Sequence, residues 1–123
     1  TRYAILTHHD ANGAPISVPV WYGWDGTTVE MFTHVSTPKM RHLQRDARAS
    51  VLITNFPHEQ ETWVRFEGEV TFGPGGLEIA ERLLARYWPE GDSRRAMMDE
   101  WRQHPDEWPK MKLVPRRIVT HRE

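Results

Sequence analysis

Residues 13–53 read GAPISVPVWYGWDGTTVEMFTHVSTPKMRHLQRDARASVLI, and the turn and helix signals within them decide the fold. Asp25-Gly26 is a tight-hairpin signal, so the apolar stretch from Ile16 to Trp24 is expected to fold back onto Val29 to Thr33. Pro15 and Pro19 push the first of these strands to an edge or a bulge, because proline has no N–H to give to a ladder. Thr37-Pro38 then reads as a helix start, an N-cap residue followed by proline at the first helical position, with a short helix from about Pro38 to Asp46. Working outward, Tyr3 to His9 is a strand joined to the second by the Asn12-Gly13 turn. Strands also follow at Ser50 to Asn55 and Thr62 to Phe72. In the latter, Val64, Phe66, Val70 and Phe72 share one face and Arg65, Glu67 and Glu69 the other. Gly68 sits in the apolar row, which implies a bulge or a close neighbour.

Beyond the Pro74-Gly75-Gly76 break, LEIAERLLARYW (77–88) places Leu77, Ala80, Leu83, Leu84 and Tyr87 at helical spacing, with Glu78 four residues before Arg82. A further helix is expected from about Ser93 to His104, capped by Ser93 or Asp92, and a last strand from Lys112 to His121 interrupted by Pro115. Six strands and only short helices favour a mainly β fold, a small barrel, over alternating βαβ units. Neither repeat nor linker divides residues 1–123, so one domain is expected.

Composition narrows the function. The 123 residues are 38% hydrophobic and 27% charged, the profile of a globular domain. Sixteen basic against 17 acidic residues, a net charge of −1, argue against a general nucleic-acid binder. No apolar run approaches a membrane span, and no secretion leader is present, so a cytoplasmic setting is the default. The chain begins at Thr1 rather than Met, as it would if an N-terminal piece were missing. Absence of cysteine removes disulfides, thiolate metal sites and a Cys nucleophile. His8 and His9 are adjacent on a strand and face opposite ways; the other histidines are scattered, so no metal site is expected.

Local charge is less even. From Met31 to Arg45 there is no acid, while Lys39, Arg41 and Arg45 stand with His34 and His42. Lys39 and Arg41 fall in the first turn of the expected helix, where the dipole is positive and each cation costs about 0.3–1 kcal/mol. The amides of Lys39 and Met40 have no intrahelical acceptor, although one could bond the Thr37 hydroxyl. A bound phosphate reverses the sign of that cost by accepting from the amides, from Ser36 or Thr37 hydroxyls and from Lys39 together. The bland alternative is a solvated basic turn with a cap. A second clue is PVWYGWDG (19–26), where prolines limit regular pairing and leave backbone groups and aromatic faces for a flat heterocycle. The bland alternative there is ordinary core packing of Trp21.

The order of the G-x-P turn, P-V-W strand, Asp-Gly hairpin, strand-ending Thr, small residues, Lys, Leu-containing helix, R-D-x-R end and TWVRFEGEV (62–70) resembles the pyridoxamine-phosphate-oxidase-like flavin and deazaflavin split-barrel family. The resemblance covers residues 4–73 well and the remainder loosely. It implies a six-stranded split β-barrel, a homodimer, and a cofactor lying in a groove shared between subunits. It maps ring contacts onto the backbone of Pro19, Val20 and Trp21, the strand-ending Thr onto Thr33, and the phosphate grip onto Ser36, Thr37 and Lys39. FMN is the first cofactor it implies; the deazaflavin coenzyme F-420 is the alternative. Pro38 stands where relatives often carry Arg, which removes a phosphate donor. Trp63 stands where true pyridoxamine-phosphate oxidases carry a flavin-contacting Gln, and their Trp/Arg-rich C-terminal segment has no counterpart in LVPRRIVTHRE (113–123), so that reaction is not expected.

The leading expectation is a flavin-dependent oxidoreductase moving a hydride to or from a small substrate, with no protein acid or base required. A flavin-binding protein without turnover is the second reading, and a haem-binding protein the third. Neither a nucleophile elbow nor a matched carboxylate pair supports a hydrolase or glycosidase. Met97, Met98, Trp101 and Trp108 read as core or dimer surface, with Trp88 and Trp101 conceivable as caps on a partner's pocket.

Overall fold

The computed structural model describes residues 1–122. Seven strands form one antiparallel sheet: β1 (Ala4–His9), β2 (Pro15–Val20), β3 (Gly23–Trp24), β4 (Val29–Phe32), β5 (Arg48–Thr54), β6 (Thr62–Gly73) and β7 (Lys110–Arg122). Three helices interrupt them: α1 (Pro38–Arg45), α2 (Gly76–Tyr87) and α3 (Asp92–Arg102). The spatial order is β2-β1-β5-β6-β7-β4-β3. The two edge strands, β2 and β3, are separated in the chain only by Trp21 and Tyr22. Three Cα steps reach at most about 11 Å, so the sheet must curl until its edges nearly meet. This is the split barrel.

Seven strands replace the expected six because the stretch from Ile16 to Trp24 is not continuous. It pairs with β1 through Val20 and then, after Trp21 and Tyr22, with β4 from Gly23. One run of chain serves both edges, and the two residues at the crossing leave the ladder. The Tyr22 amide turns to the Tyr87 hydroxyl (3.4 Å), and its carbonyl accepts from Arg86 (3.4 Å).

Local signals worked as their chemistry dictates. Asp25 Oδ1 accepts from the amides of Thr27 (2.9 Å) and Thr28 (2.7 Å), fixing the hairpin. Asp10 Oδ1 does the same for Asn12 and Ala14, with Gly13 at φ 81°. Strand β7 runs through Pro115 without a break because the register slips there: Glu67 faces Arg117 and Gly68 faces Pro115, leaving Arg116 as the extra residue of a bulge. A Cβ on Gly68 would overlap the Val114 carbonyl, so both sequence readings of that glycine hold.

Leu6, Met31, Val51, Met111 and Leu113 fill the barrel, joined from outside the sheet by Leu43 of α1. Helix α2 buries Ile79, Ala80, Leu83 and Leu84, close to the expected stripe. Two expectations about the helices fail. The third begins at Asp92 with Gly91 as its N-cap, not Ser93 or Asp92. Arg82 pairs not with Glu78 but with the buried Glu30 of β4, at 2.9 and 3.0 Å, since a two-bond fork onto a buried carboxylate outweighs an exposed pair.

Candidate functional site

Strand β4 ends at Phe32, and the chain turns through residues 33–37 into α1. Two hydroxyls shape the turn. Thr37 Oγ1 donates to the His34 carbonyl (3.0 Å), so in its 2.9 Å contact with Thr33 Oγ1 the hydrogen comes from Thr33. Thr33 is buried. With its hydrogen spent and its oxygen facing Thr33, Thr37 makes no side-chain bond to the helix it caps. The Thr37-to-amide bond that the sequence allowed is therefore not made, and the amides of Lys39 and Met40 are left for another acceptor.

Lys39 is half-buried and forms no ion pair among the described residues. Burial pushes its ammonium below the usual lysine range. A desolvated cation at the positive end of a helix, with no carboxylate, is a poor choice for stability alone.

Thr33, Thr37 and Lys39 open onto a groove of about 370 Å³. Its lining includes Pro19, Val20, Trp21, Thr33, Thr37 and Lys39, so six of the seven residues singled out from the sequence come together. Ser36 does not line it; this exposed residue is turned toward His34. The remaining wall is aromatic. Trp101 and Trp108 pack 5.1 Å apart, and both lie against Phe32, at 5.4 and 5.9 Å. Trp21 joins this wall 6.0 Å from Phe32, its ring also stacked on Tyr87 at 5.3 Å and 3°. Both C-terminal tryptophans thus face their own chain's groove, where the sequence suggested core, dimer surface or, for Trp101, a cap on a partner. The signal available was only two tryptophans flanking a Pro-Asp-Glu turn.

His34 also lines the groove, and it was not singled out. Its Nε2 lies 3.0 Å from Glu107 Oε2, and the Val35 amide donates to the Glu107 carbonyl (3.0 Å), so the 3-10 turn Pro105–Glu107 is tied to the loop. A carboxylate partner for this histidine was not foreseen, because it stands 73 residues away. The His34 bond is the first cause holding the Glu107 carboxyl below its usual range. Ser36, His34 and Glu107 form a line like a hydrolase relay. The Ser36 amide also donates to the ring Nδ1 (3.1 Å), however, so the hydroxyl shares that nitrogen's one lone pair with a second donor.

His8 and His9 face opposite sides, as alternation requires. His8 is buried beneath α1, its Nδ1 3.3 Å from His42 Nδ1, and its Nε2 has no partner. Among the described residues no cluster of three or more His, Cys, Asp or Glu could hold a metal ion. A larger hollow of about 630 Å³ lies elsewhere, beside Trp63 and His121. Its Arg2 is paired with Glu59 at 2.5 Å, and it holds none of the seven residues singled out from the sequence. Among the described residues no helix is long and apolar enough to cross a membrane.

A curled antiparallel barrel whose groove joins bare helix amides to an aromatic wall defines the split-barrel class of flavin-binding fold. A family model described as pyridoxamine 5'-phosphate oxidase matches residues 1–112, and the chain belongs to that family. Comparison with curated protein sequences finds no match. Among solved structures, a conserved hypothetical protein of Mycobacterium tuberculosis is similar at 25% identity and TM-score 0.76, covering 99% of this chain and 78% of that one. An F-420 reductase is similar at 16% identity and TM-score 0.74, covering 96% and 89%. A FAD-binding protein of Mesorhizobium loti is similar at 13% identity and TM-score 0.66, covering 98% and 83%. The last two likenesses are of fold.

Proposed function

We propose that this protein binds FMN, with the cofactor phosphate at the start of α1 and the ring against Pro19, Val20 and Trp21, and that it is an oxidoreductase acting on a small substrate. One observation carries the reading. Lys39, at the start of a helix whose cap makes no side-chain bond, and the unladdered residue Trp21 share a single groove. Each is unfavourable or idle without a ligand, and a phosphate-bearing planar cofactor satisfies both.

In that role Lys39 and the two amides hold the phosphate, while Thr33 fixes the Thr37 side chain away from the amides. Trp21, Phe32, Trp101 and Trp108 keep water from the ring. The cofactor, when bound, supplies the hydride chemistry, and the chain needs no acid or base of its own. The protein acts as a homodimer with the cofactor in a groove completed by the second subunit.

The deazaflavin coenzyme F-420 is the alternative occupant, supported by Pro38, whose ring leaves the corner with fewer phosphate donors. A flavin carrier without turnover uses the same residues. Denaturing the purified protein and identifying the released molecule by mass spectrometry, together with its absorption spectrum, separates FMN, deazaflavin and haem. Release of haem, or of no phosphate-bearing cofactor with none bound on adding FMN or F-420, refutes the reading.

A further inference from the structure

Building on the phosphate reading above, we propose that His34 is a proton-linked positioning residue. When a phosphate group binds in the groove that His34 lines, Nδ1 of His34 takes up one proton and the ring adds a positive charge to that groove.

The hydrogen positions follow from the partners. Glu107 is a carboxylate and can only accept, so the hydrogen in its 3.0 Å bond sits on His34 Nε2. In the neutral ring Nδ1 is then an acceptor with one lone pair. The Ser36 amide (3.1 Å) and the Ser36 hydroxyl (2.7 Å) both aim at it. Both Ser36 hydrogens are thus directed at the ring.

Protonation of Nδ1 reverses this. The ring becomes a donor to Ser36 Oγ, the hydroxyl hydrogen must rotate outward, and the Ser36 amide loses its acceptor. An anion in the groove then meets one additional positive charge, on a ring that lines it. Only bonds to hydrogen change. The proton comes from solvent and returns there when the ligand leaves.

Charged groups of both signs lie around His34. Glu107, bonded to Nε2, favours the imidazolium, while His104 lies close enough to Glu107 to compete for its field. Lys39 lines the same groove and Arg41 donates to the Ser36 carbonyl (3.3 Å); both cations oppose a third. A phosphate dianion removes that opposition. Pro38 brings neither amide hydrogen nor charge to the helix start, so His34 is the conditional cation of this corner. The bound state has the higher affinity for the proton, so phosphate affinity rises as pH falls through the titration of His34, by up to about tenfold per pH unit for one linked proton.

The test is a pH titration of the His34 ring by NMR, run on the protein alone, with inorganic phosphate and with FMN. Calorimetry in two buffers of different ionisation enthalpy counts protons. The expected results are the Nε2–H tautomer in the free neutral ring, a His34 midpoint raised by the ligand, and net proton uptake. Uptake should be lost in His34→Gln and reduced in Glu107→Gln, which keeps a side chain in contact with the ring. If the Lys39 and Met40 amides respond to phosphate or FMN while the His34 midpoint stays fixed and no proton is taken up, this inference is overturned and the phosphate reading stands. If neither the amides nor His34 respond to either probe, both are overturned.

Discussion

Lys39→Met separates what this residue does for the fold from what it does for a ligand. Methionine keeps the apolar stem that a half-buried lysine contributes and removes only the ammonium. In the ligand-free protein that ammonium is desolvated, unpaired and in the first turn of α1, where the dipole alone costs about 0.3–1 kcal/mol. The variant should be more stable by about that amount in urea unfolding without ligand. The pH dependence has a definite sign. Burial lowers the folded-state pKa of Lys39 from its ordinary 10.5, so the unfolded chain binds more protons in the window just below that value. Wild-type protein gains stability as pH rises through the window, and the variant lacks that gain. With FMN present the order inverts. Loss of one charge-assisted hydrogen bond weakens binding by about 1.5–3 kcal/mol, roughly ten- to 150-fold in Kd by titration calorimetry. A variant that binds FMN as tightly as wild type, or is clearly less stable without ligand, would refute the reasoning.

Three further outcomes are expected. Burial, and then His42, Lys39 and His9, hold the His8 pKa below 6.5, so acid protonates the unfolded chain first and stability falls as pH drops below 6.5; urea midpoints at pH 7.5 and 5 should fall less in His8→Leu, and equal slopes would exclude His8 as the sensor. Arg82→Ala strands the buried Glu30 carboxylate and should cost about 1–3 kcal/mol, below the figure for a fully buried pair because Arg82 is half exposed and Lys112 remains 3.8 Å from Glu30. The Glu30→Ala/Arg82→Ala double variant, unfolded in parallel, should cost less than the two single changes added together. A Cβ on Gly76 would overlap the backbone of Trp108 and Pro109, so Gly76→Ala should displace the tryptophan wall, which near-UV circular dichroism would detect along with a lowered melting temperature.

Whatever the sequence made legible was carried by neighbours in the chain. Asp25 makes its hairpin with Thr27 and Thr28, Pro38 opens its helix at the next residue, and the alternation from Val64 to Phe72 needs only the pleat. The six residues that gather in the groove lie within residues 19–39, close enough for motif spacing to join them. What escaped depends on distant partners. The break at Trp21 and Tyr22 follows from β4 and β1 competing for one strand, and Glu30 draws Arg82 away from Glu78 across the tertiary structure. His34 acquires its meaning from Glu107, and Trp101 and Trp108 acquire theirs from Phe32. No local periodicity marks any of these.

The crossing at Trp21 and Tyr22 also governs how the barrel can come apart. An ordinary sheet sheds an edge strand by breaking hydrogen bonds one after another. In this molecule both margins are tethered to each other by peptide bonds, so peeling β2 from β1 pulls directly on β3 and, through it, on β4. Partial opening therefore costs more than the ladder at one margin suggests, and amides of β2 and β3 should exchange with solvent in one concerted event. A ring resting on that tether would act as a latch on the whole hoop.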